Sequence, residues 1–410
     1  MDKEGKRAVM DTITYKIAEI GDVVGGGTPS TSNPDLWGGE IPWISPKDLT
    51  GYNSIYISHG ENFLTPKGLK SGTKLLPKDT VLFSSRAPIG YIAIASNPIC
   101  TNQGFKSIIC NKDLITPLFL YYYIKANLDY IKLFGTGATF PEISGAAMKK
   151  IKIQIPSLPI QQKIASILST YDTLIENNNR RIRLLEQMAE NLYKEWFVRF
   201  RFPGHEKVET ENGLPKGWKI KRIADFGRIE TGKTPPMSNQ ELYGGDILFV
   251  KTPDMHEKMF VSSTSETLSQ EGNNYQLTKL LPVNSIMVSC IGTAGVVSIN
   301  AKSAHTNQQI NSIILNNLED LEWLYYVCRQ LKPTIELFGA TGATMTNLSK
   351  SKFEKLKIVV PKVDIRNSFH KRIKPYFKDI FTLEQQNTLL TRQHDLLLPR
   401  LMSGKLEVKP

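Results

Sequence analysis

The chain contains the same domain twice, because two long segments of its sequence align with later segments at a nearly constant offset. Residues 17–49 align with residues 223–255 without a gap, and 13 of the 33 positions are identical. Residues 76–111 align with residues 281–316, and 12 of the 36 positions are identical. A period of about 205 residues is far too long for a solenoid, so the 410 residues hold two copies of one fold.

Each copy is predicted to be a mainly β domain with some helix. Short apolar runs bounded by Gly, Pro and Asn predict strands. They are residues 80–85, 90–95 and 105–110 in the first copy, and 285–290, 295–299 and 310–315 in the second. One short helix is predicted at 117–127, with its counterpart at 318–331. The predicted fold class is therefore α/β, in its α+β form.

A long helix is predicted after each copy, where Gly and Pro are rare and apolar residues follow a heptad. The predicted core residues are Leu168, Ile175, Asn178, Ile182 and Leu185 in the first helix, and Ile373, Ile380, Leu383, Asn387 and Leu390 in the second. Asn178 and Asn387 are polar core positions, and a buried Asn can fix the register of a coiled coil. The alternative is two amphipathic helices, each packed on its own domain.

The order domain, helix, domain, helix predicts two similar globular domains joined by two long antiparallel helices. The helices would form a coiled-coil spacer, and the whole would have pseudo-twofold symmetry. The predicted boundaries are 1–156 for the first domain, 157–203 for the first spacer helix, 204–361 for the second domain, and 362–410 for the second spacer helix and C-terminal segment. A paired arrangement of this kind suits a split site in DNA, as in dimeric repressors.

The charge of the chain points to a polyanionic partner. Lys and Arg number 51 against 39 Asp and Glu, which gives a net charge of +12. The N-terminal residues are charged and lack the apolar core of a signal peptide, and no apolar run is long enough to span a bilayer. The four cysteines form no CxxC pair, so neither a zinc site nor a disulfide framework is indicated. We therefore expect a cytoplasmic protein with no membrane partner.

The two copies differ where a DNA-reading surface should differ. Residues 45–47 (Ser-Pro-Lys) align with 251–253 (Lys-Thr-Pro), and 86–88 (Arg-Ala-Pro) align with 291–293 (Ile-Gly-Thr). Cationic and hydroxyl side chains at such positions suit contacts with phosphates and base edges. The predicted DNA-contacting residues are Ser45, Lys47, Lys74, Arg86, Lys233, Lys251 and Thr252.

Two motifs that suggest other chemistry are better explained as structure. Residues 227–234 match the P-loop pattern GxxxxGK[ST], but Pro235 disfavours the helix that a P-loop needs after Thr234. The pairs Asn102-Gln103 and Asn307-Gln308 could read adenine. Both copies share them, however, so a scaffold role is favoured over base reading. No nucleophile, metal or carboxylate cluster for catalysis is recognisable, and neither catalytic nor metal-binding residues are predicted.

Four stretches carry a family resemblance: residues 159–168 (PIQQKIASIL), 191–204 (NLYKEWFVRFRFPG), 213–227 (GLPKGWKIKRIADFG) and 396–408 (LLLPRLMSGKLEV). Through them the chain resembles, over its whole length, the specificity subunits of type I restriction–modification enzymes. The resemblance implies two target recognition domains that each read one half of a bipartite site in double-stranded DNA. It also implies a helical spacer that docks two methyltransferase subunits.

The same resemblance implies a non-catalytic subunit of a restriction system that directs DNA methylation. Restriction or translocase subunits could join the assembly. AdoMet, ATP and Mg²⁺ are then expected in the partner subunits, and this chain is expected to bind no cofactor itself. Two alternatives remain at this point: a stand-alone DNA-binding regulator, and a self-contained methyltransferase or nuclease with built-in specificity.

Overall fold

The computed structural model describes residues 11–137, 139, 141–340 and 347–408. The predicted boundaries at residues 1 and 410 lie outside these residues. The chain divides into a first unit, Met1–Asn177 with Asn387–Pro410, and a second unit, Asn178–Gln386. Each unit therefore contains one copy of the repeat and one segment of each long helix. The predicted domain boundaries separate the helices from the domains, whereas the units divide each helix between them.

The first unit is built on a five-stranded and a three-stranded sheet. In spatial order the larger sheet contains Gly21–Gly25, Lys106–Cys110, Val81–Ser85, Ile89–Ala95 and Tyr56–Ile57. The smaller sheet contains Asn62–Leu64, Trp37–Ile44 and Cys100–Thr101. Pairing is antiparallel except at one edge of each sheet, where Tyr56–Ile57 and Cys100–Thr101 run parallel to their neighbours. The helices and helical turns of this copy are Ile17–Ile20, Pro34–Leu36, Pro46–Leu49, Pro66–Lys70, Pro117–Ala126, Leu128–Lys132 and Gly145–Lys150.

The second unit repeats this topology. Its five-stranded sheet contains, in order, Gly227–Thr231, Ile310–Leu315, Ile286–Ser289, Val297–Asn300 and Phe260–Val261. Its three-stranded sheet contains Glu266–Leu268, Tyr243–Val250 and Ala304–Thr306, and a two-stranded hairpin joins Thr210–Glu211 to Leu214–Pro215. The helices and helical turns are His205–Lys207, Ile223–Phe226, Gln240–Leu242, Thr252–Met255, Gln270–Tyr275, Leu277–Lys279, Leu318–Asp320, Leu321–Gln330, Lys332–Gly339 and Lys350–Glu354. The predicted α+β class and the duplication are confirmed by this correspondence.

The alternation of side chains along a strand places a core on each face of the larger sheet. In the first unit, Val81 and Phe83 face a cluster that includes the helix Pro117–Ala126. Leu82, between them, faces a second cluster with Ile44. Thr116 begins the helix, because its hydroxyl accepts a hydrogen bond from the amide of Phe119 at 3.3 Å. The sheet is thus buried on both faces, which leaves loops as the exposed part of the domain.

Each copy of the fold begins and ends in a two-stranded antiparallel ribbon. Ile13–Lys16 pairs with Lys152–Ile155 in the first unit, and Lys219–Arg222 pairs with Lys357–Val360 in the second. The chain therefore enters and leaves each globular domain at one place. A long helix begins within three residues of each ribbon, because Leu158 follows Ile155 and Val363 follows Val360.

The two long helices are Leu158–Tyr193, which continues as a π-helical turn Lys194–Val198, and Val363–Met402. Within the first unit their segments run antiparallel. Leu168 shares a buried cluster with Leu401, and the Asp172 carboxylate lies 3.8 Å from His394 Nε2. Residue 168 lies beside residue 401, and residue 172 lies beside residue 394. The residue number rises along one helix as it falls along the other, so the two segments run in opposite directions.

The helix segments of the second unit are antiparallel as well. Asn178 Nδ2 donates to Gln386 Oε1 at 3.5 Å, and at the other end the rings of Trp196 and Phe369 are 5.7 Å apart. The π-helical turn places Trp196 and Phe197 side by side in an aromatic cluster with Phe369 and Trp218. The stretch 191–204 is therefore rich in aromatic residues because it packs the end of the helix onto its domain. None of the described helices is both long and apolar enough to cross a membrane.

Candidate nucleic-acid interface

Three of the predicted DNA-contacting residues line one groove on the first unit. The groove has a volume of about 600 Å³. Its lining residues are Ser45, Pro46, Lys47, Arg86, Ala87, Asn102, Gly104 and Glu142. Ser45 and Arg86 come from loops that follow strands of different sheets, so the fold brings together positions that lie 41 residues apart in sequence.

Asp48 fixes the loop that carries Ser45 and Lys47. Both the backbone amide and the hydroxyl of Ser45 donate to Asp48 Oδ2 at 2.7 Å, and Asp48 Oδ1 accepts from the amide of Glu61 at 2.8 Å. The Lys47 ammonium lies 2.9 Å from Glu61 Oε2, and this hydrogen bond raises the pKa of Lys47. The Lys47 side chain is 81% exposed, so its ammonium stays accessible to solvent beside Glu61.

Arg86 and Glu142 both line the groove and lie next to each other. Arg86 NH1 lies 3.6 Å from Glu142 Oε2, and Lys106 Nζ lies 3.2 Å from Glu142 Oε1. One carboxylate thus contacts two cations, and these three side chains together keep a net positive charge. The Arg86 side chain is 38% exposed. A guanidinium held in this way can offer its remaining donors in the fixed geometry that suits guanine or phosphate.

The Asn-Gln pairs have structural contacts in both copies. Asn102 Oδ1 accepts from the amide of Gly104 at 2.8 Å, and Asn307 Oδ1 accepts from the amide of Gln309 at 3.2 Å. The next residue bonds the hydroxyl of the Thr-Pro turn in each copy, Gln103 to Thr28 and Gln308 to Thr234. The scaffold interpretation of these pairs is therefore supported, although Asn102 also lies in the wall of the groove.

The second unit carries different side chains on the same frame. Asp254 Oδ2 accepts from the Lys251 amide at 2.9 Å and Asp254 Oδ1 accepts from the Ser265 amide at 2.8 Å, so Asp254 repeats the role of Asp48. Ile291 stands at the position of Arg86, and its bridge partner Asn347 stands at the position of Glu142. The ion pair of the first groove is thus replaced by an apolar and an amide side chain.

The remaining predicted contact residues lie in different surroundings. Lys251 pairs with Glu266, and the Lys233 ammonium lies 4.5 Å from the centre of the Tyr275 ring on the surface. Lys74 is exposed on the loop before Leu76, outside the groove lining. Thr252 is only 6% exposed and its hydroxyl donates to Gln309 at 3.5 Å, so the structure gives it a packing position.

The predicted helix-core residues all face inward to some degree. Leu168, Asn178, Ile373, Ile380 and Leu383 are buried, and Ile175, Ile182, Leu185, Asn387 and Leu390 are half-buried. Leu168 belongs to the core of the first unit, and Ile373 and Ile380 belong to that of the second. The heptad therefore marks the faces on which the helices pack within each unit.

The P-loop match at residues 227–234 has no helix after it. Gly227–Thr231 is a strand, and residues 232–236 are irregular. Burial raises the pKa of the Cys100, Cys110 and Cys290 thiols to about 11, 12 and 11, and that of Cys328 further still, which suits packing rather than nucleophilic chemistry. In the part of the chain that the structure describes, no group of three His, Cys, Asp or Glu side chains is placed to hold a metal ion.

Sequence reasoning missed Glu142, which pairs with Arg86, and Lys106, which pairs with the same carboxylate. Glu142 reaches the groove on the loop between Leu128–Lys132 and Gly145–Lys150. The second copy has Asn347 at the same point, so the two copies differ there as they do at 86 and 291. Divergence inside the repeat was the signal that could have identified this position.

Comparisons with known proteins agree with this geometry. The sequence profile described as "Type I restriction modification DNA specificity domain" matches residues 11–187 and 215–391. The MjaIX specificity subunit of a type I restriction enzyme from Methanocaldococcus jannaschii is 37% identical, over 96% of this chain and 93% of that protein. The HindI specificity subunit from Haemophilus influenzae is 33% identical, over 81% of this chain and 88% of that protein.

A solved structure shares the fold over nearly the full length. The crystal structure of the type I restriction–modification S subunit from M. genitalium superposes with a TM-score of 0.65 at 15% sequence identity, and covers 98% of both chains. At this identity the similarity concerns the fold alone.

Proposed function

Because this chain belongs to the family of type I restriction–modification specificity subunits, which recognise DNA and are not catalytic, we propose that each unit reads one half of a bipartite duplex site. The observation that carries the proposal is the loop fixed by Asp48 in one unit and by Asp254 in the other. The frame is shared and the side chains that it presents differ. Two readers with one frame and different side chains would recognise two different half-sites.

The groove supports direct base reading by the first unit. Arg86 is oriented by Glu142 and stays partly exposed, which suits a bidentate contact with guanine in the major groove. Lys47 is more exposed than Arg86, and its ammonium suits a phosphate contact that positions the domain. We assign base reading to Arg86 and backbone contact to Lys47.

Exposed apolar side chains on the long helices support the docking of partner subunits. Leu184 and Met188, one helical turn apart, are each 51% exposed, and Val198 is 53% exposed. On the second helix Leu389 and Leu396, seven residues apart, are 59% and 54% exposed. Contiguous exposed apolar surface on a soluble protein is typical of protein interaction sites. We propose that two methyltransferase subunits, with restriction or translocase subunits where present, assemble on these helices.

In this proposal the chemistry belongs to the partners. The methyltransferase subunits would bind AdoMet, and any translocating subunit would bind ATP and Mg²⁺. The complex would act on cellular DNA in the cytoplasm.

The experiment is methylation-motif sequencing of DNA from hosts that express the chain with its partner subunits. Replacing residues 17–151 by the corresponding domain of a relative keeps the strand Lys152–Ile155 in place and should change one half-site only. Within the first domain, Arg86→Ile introduces the residue of the second copy and should relax or change one base of that half-site, by about 1–3 kcal/mol of discrimination.

Lys67→Gln is a suitable control, because it removes an exposed charge that is paired with Asp35 away from the groove lining. Changes in both half-sites after the domain exchange would contradict independent reading. An unchanged motif in Arg86→Ile would remove Arg86 from the reading surface. Methylation of DNA by the purified chain alone would favour a self-contained enzyme. Specific DNA binding with the same affinity in the presence and absence of the partner subunits would favour a stand-alone regulator.

A further inference from the structure

The ribbons that close the two domains place like charges directly opposite each other. Lys16 is the partner of Lys152 in the first unit, and Arg222 is the partner of Lys357 in the second. All four side chains are exposed. Like charges at directly opposed positions destabilise an antiparallel pair of strands, so this arrangement, present in both units, has a local energetic cost.

Two carboxylates, each three residues after an opposed cation, are engaged by backbone amides. Glu19 accepts from the backbone amide of Lys16 at 2.6 Å, and Asp225 accepts from the backbone amide of Arg222 at 3.0 Å. Both carboxylates thus cap the helical turn that follows the strand. Among the described residues, no ion pair within 4.0 Å involves the side chains of Lys16, Lys152, Arg222 or Lys357.

Further exposed cations flank each pair. They are Lys149 and Lys150 in the first unit, and Lys219, Lys221 and Lys355 in the second. In the second unit the ribbon contains a shallow depression of about 340 Å³, lined by Ile220, Lys221, Arg222, Asp225 and Lys357. Each ribbon is therefore the centre of a positive surface.

In the first unit this positive surface is one short helix away from the groove. Glu142 in the groove wall precedes the helix Gly145–Lys150, whose six residues span about 9 Å. The helix ends in Lys149 and Lys150, and Lys152 follows in the ribbon. The second unit repeats the order, with Asn347 at the position of Glu142, then the helix Lys350–Glu354, then Lys357.

We propose that the two ribbons bind the phosphate backbone of the duplex whose bases the loops read, a contact that holds the domains on DNA regardless of sequence. This inference rests on the proposed function of the loops. Contacts that specify sequence should differ between the two copies, and contacts that only position the protein should be the same. Residues 86 and 291 differ in charge, whereas the opposed cations are retained in both ribbons.

The alternative occupant is an acidic surface of a partner subunit. On the face that carries the opposed cations, the two ribbons do not share an apolar pair. Beside the cations, the second has Ile220 opposite Val359, whereas the first has Thr14 opposite Gln154. The opposed cations are therefore what this face has in common in the two ribbons, and a phosphate backbone is a ligand that such cations bind without reading sequence.

The test uses the full chain assembled with its partner subunits, and measures affinity for two duplexes of equal length across a range of salt concentrations. One duplex carries the recognition motif identified by methylation-motif sequencing, and the other carries a scrambled sequence. Lys16→Gln with Lys152→Gln should weaken binding to both duplexes by the same factor. The log–log salt dependence should become less steep by about 2, since two phosphate contacts are removed. Arg222→Gln with Lys357→Gln should do the same.

Lys67→Gln with Lys112→Gln is the matched control, because it removes two exposed lysines that lie outside both ribbons and outside the groove lining. The salt slope should change far less in this variant. A ribbon variant with the parental salt slope and affinity would overturn the proposal, and so would one that assembles poorly with partners while the assembled fraction binds DNA normally. If Arg86 reads no base, only the assignment of base reading to Arg86 is wrong. The ribbon proposal is tested separately, because affinity for the scrambled duplex does not depend on base reading.

Discussion

The buried side chain of His305 makes the stability of the second unit depend on pH. It is fully buried in the strand Ala304–Thr306, and its Nε2 lies 2.9 Å from Asn273 Oδ1. Its Nδ1 has no hydrogen-bond partner among the described residues. Burial lowers the pKa of His305 to about 4, because the site disfavours the charged imidazolium. The first copy has Cys100 at this position, so the packing role does not require a titrating residue.

We predict that the contribution of His305 to the stability of the second unit falls as the pH falls from about 6.5 to about 4. In that range the unfolded state binds a proton at His305 and the folded state does not, so the contribution of this residue to stability rises with pH. The contribution of this residue is about 3 kcal/mol, from 1.36 kcal/mol per unit of pKa difference. His305→Cys should remove this contribution from the pH dependence, even if it lowers stability at pH 7.

Urea unfolding at several pH values provides the measurement. In a Trp37→Phe, Trp43→Phe background the remaining tryptophans are Trp196, Trp218 and Trp323, which all belong to the second unit. An identical pH dependence in His305→Cys and its parent would show that other groups are responsible.

The candidate contact residues could be predicted from sequence only where the two copies could be compared. Ser45, Lys47 and Arg86 were found because their counterparts differ, and the structure places them in one groove. Glu142 was missed because its approach to Arg86 depends on the path of a loop 56 residues later. Thr252 was selected by the same comparison, but its burial depends on the packing of Gln309, which alignment does not show.

At the scale of elements, the ribbons combine a functional surface with a local instability. We predict that Lys152→Glu raises the stability of the first unit by about 0.2–1 kcal/mol, because it converts a like-charge pair with Lys16 into an opposite-charge pair. The same variant should bind duplex DNA more weakly. Thermal unfolding and duplex affinity, measured on the same preparations, provide the comparison.

Gln154→Glu is the control, since it adds an exposed negative charge opposite Thr14 in the same ribbon. It should change stability less than Lys152→Glu. If both variants leave the unfolding temperature unchanged, the like-charge pair has no measurable cost.

The long helices were predictable and the ribbons were not. A heptad continued over some 40 residues gives a strong signal, and the helices end close to the expected residues. Ile13–Lys16 has only four residues, no clean alternation of burial, and a partner about 140 residues away. Such a pairing is set by the tertiary structure and leaves little trace in the local sequence.

At the scale of the whole molecule, the first unit is discontinuous in sequence. Its core contains Leu401 and Met402, 1% and 8% exposed, packed with Ile164 and Leu168. We predict that Leu401→Ala destabilises this unit by about 2–5 kcal/mol, the usual cost of truncating a buried leucine. Hydrogen exchange should accelerate in the strands Val81–Ser85 and Lys106–Cys110 and stay unchanged in Ile286–Ser289 and Ile310–Leu315.

Leu396→Ala, at a position that is 54% exposed on the same helix, should have little effect on either set of strands. Faster exchange in the second unit alone would contradict the assignment of the C-terminal segment to the first unit.

The same discontinuity sets the order in which a newly made chain can fold. The second unit, residues 178–386, is complete in one stretch, but the first lacks its final segment until residues 387–410 have been synthesised. At roughly 5–20 residues per second, the ribosome takes roughly 10–40 s to travel from residue 177 to residue 387. During that interval the apolar surface that Leu401 and Met402 will cover stays open to other proteins. The unit that is begun first is thus finished last, and its exposure to chaperones and to proteolysis lasts until its final segment has been synthesised.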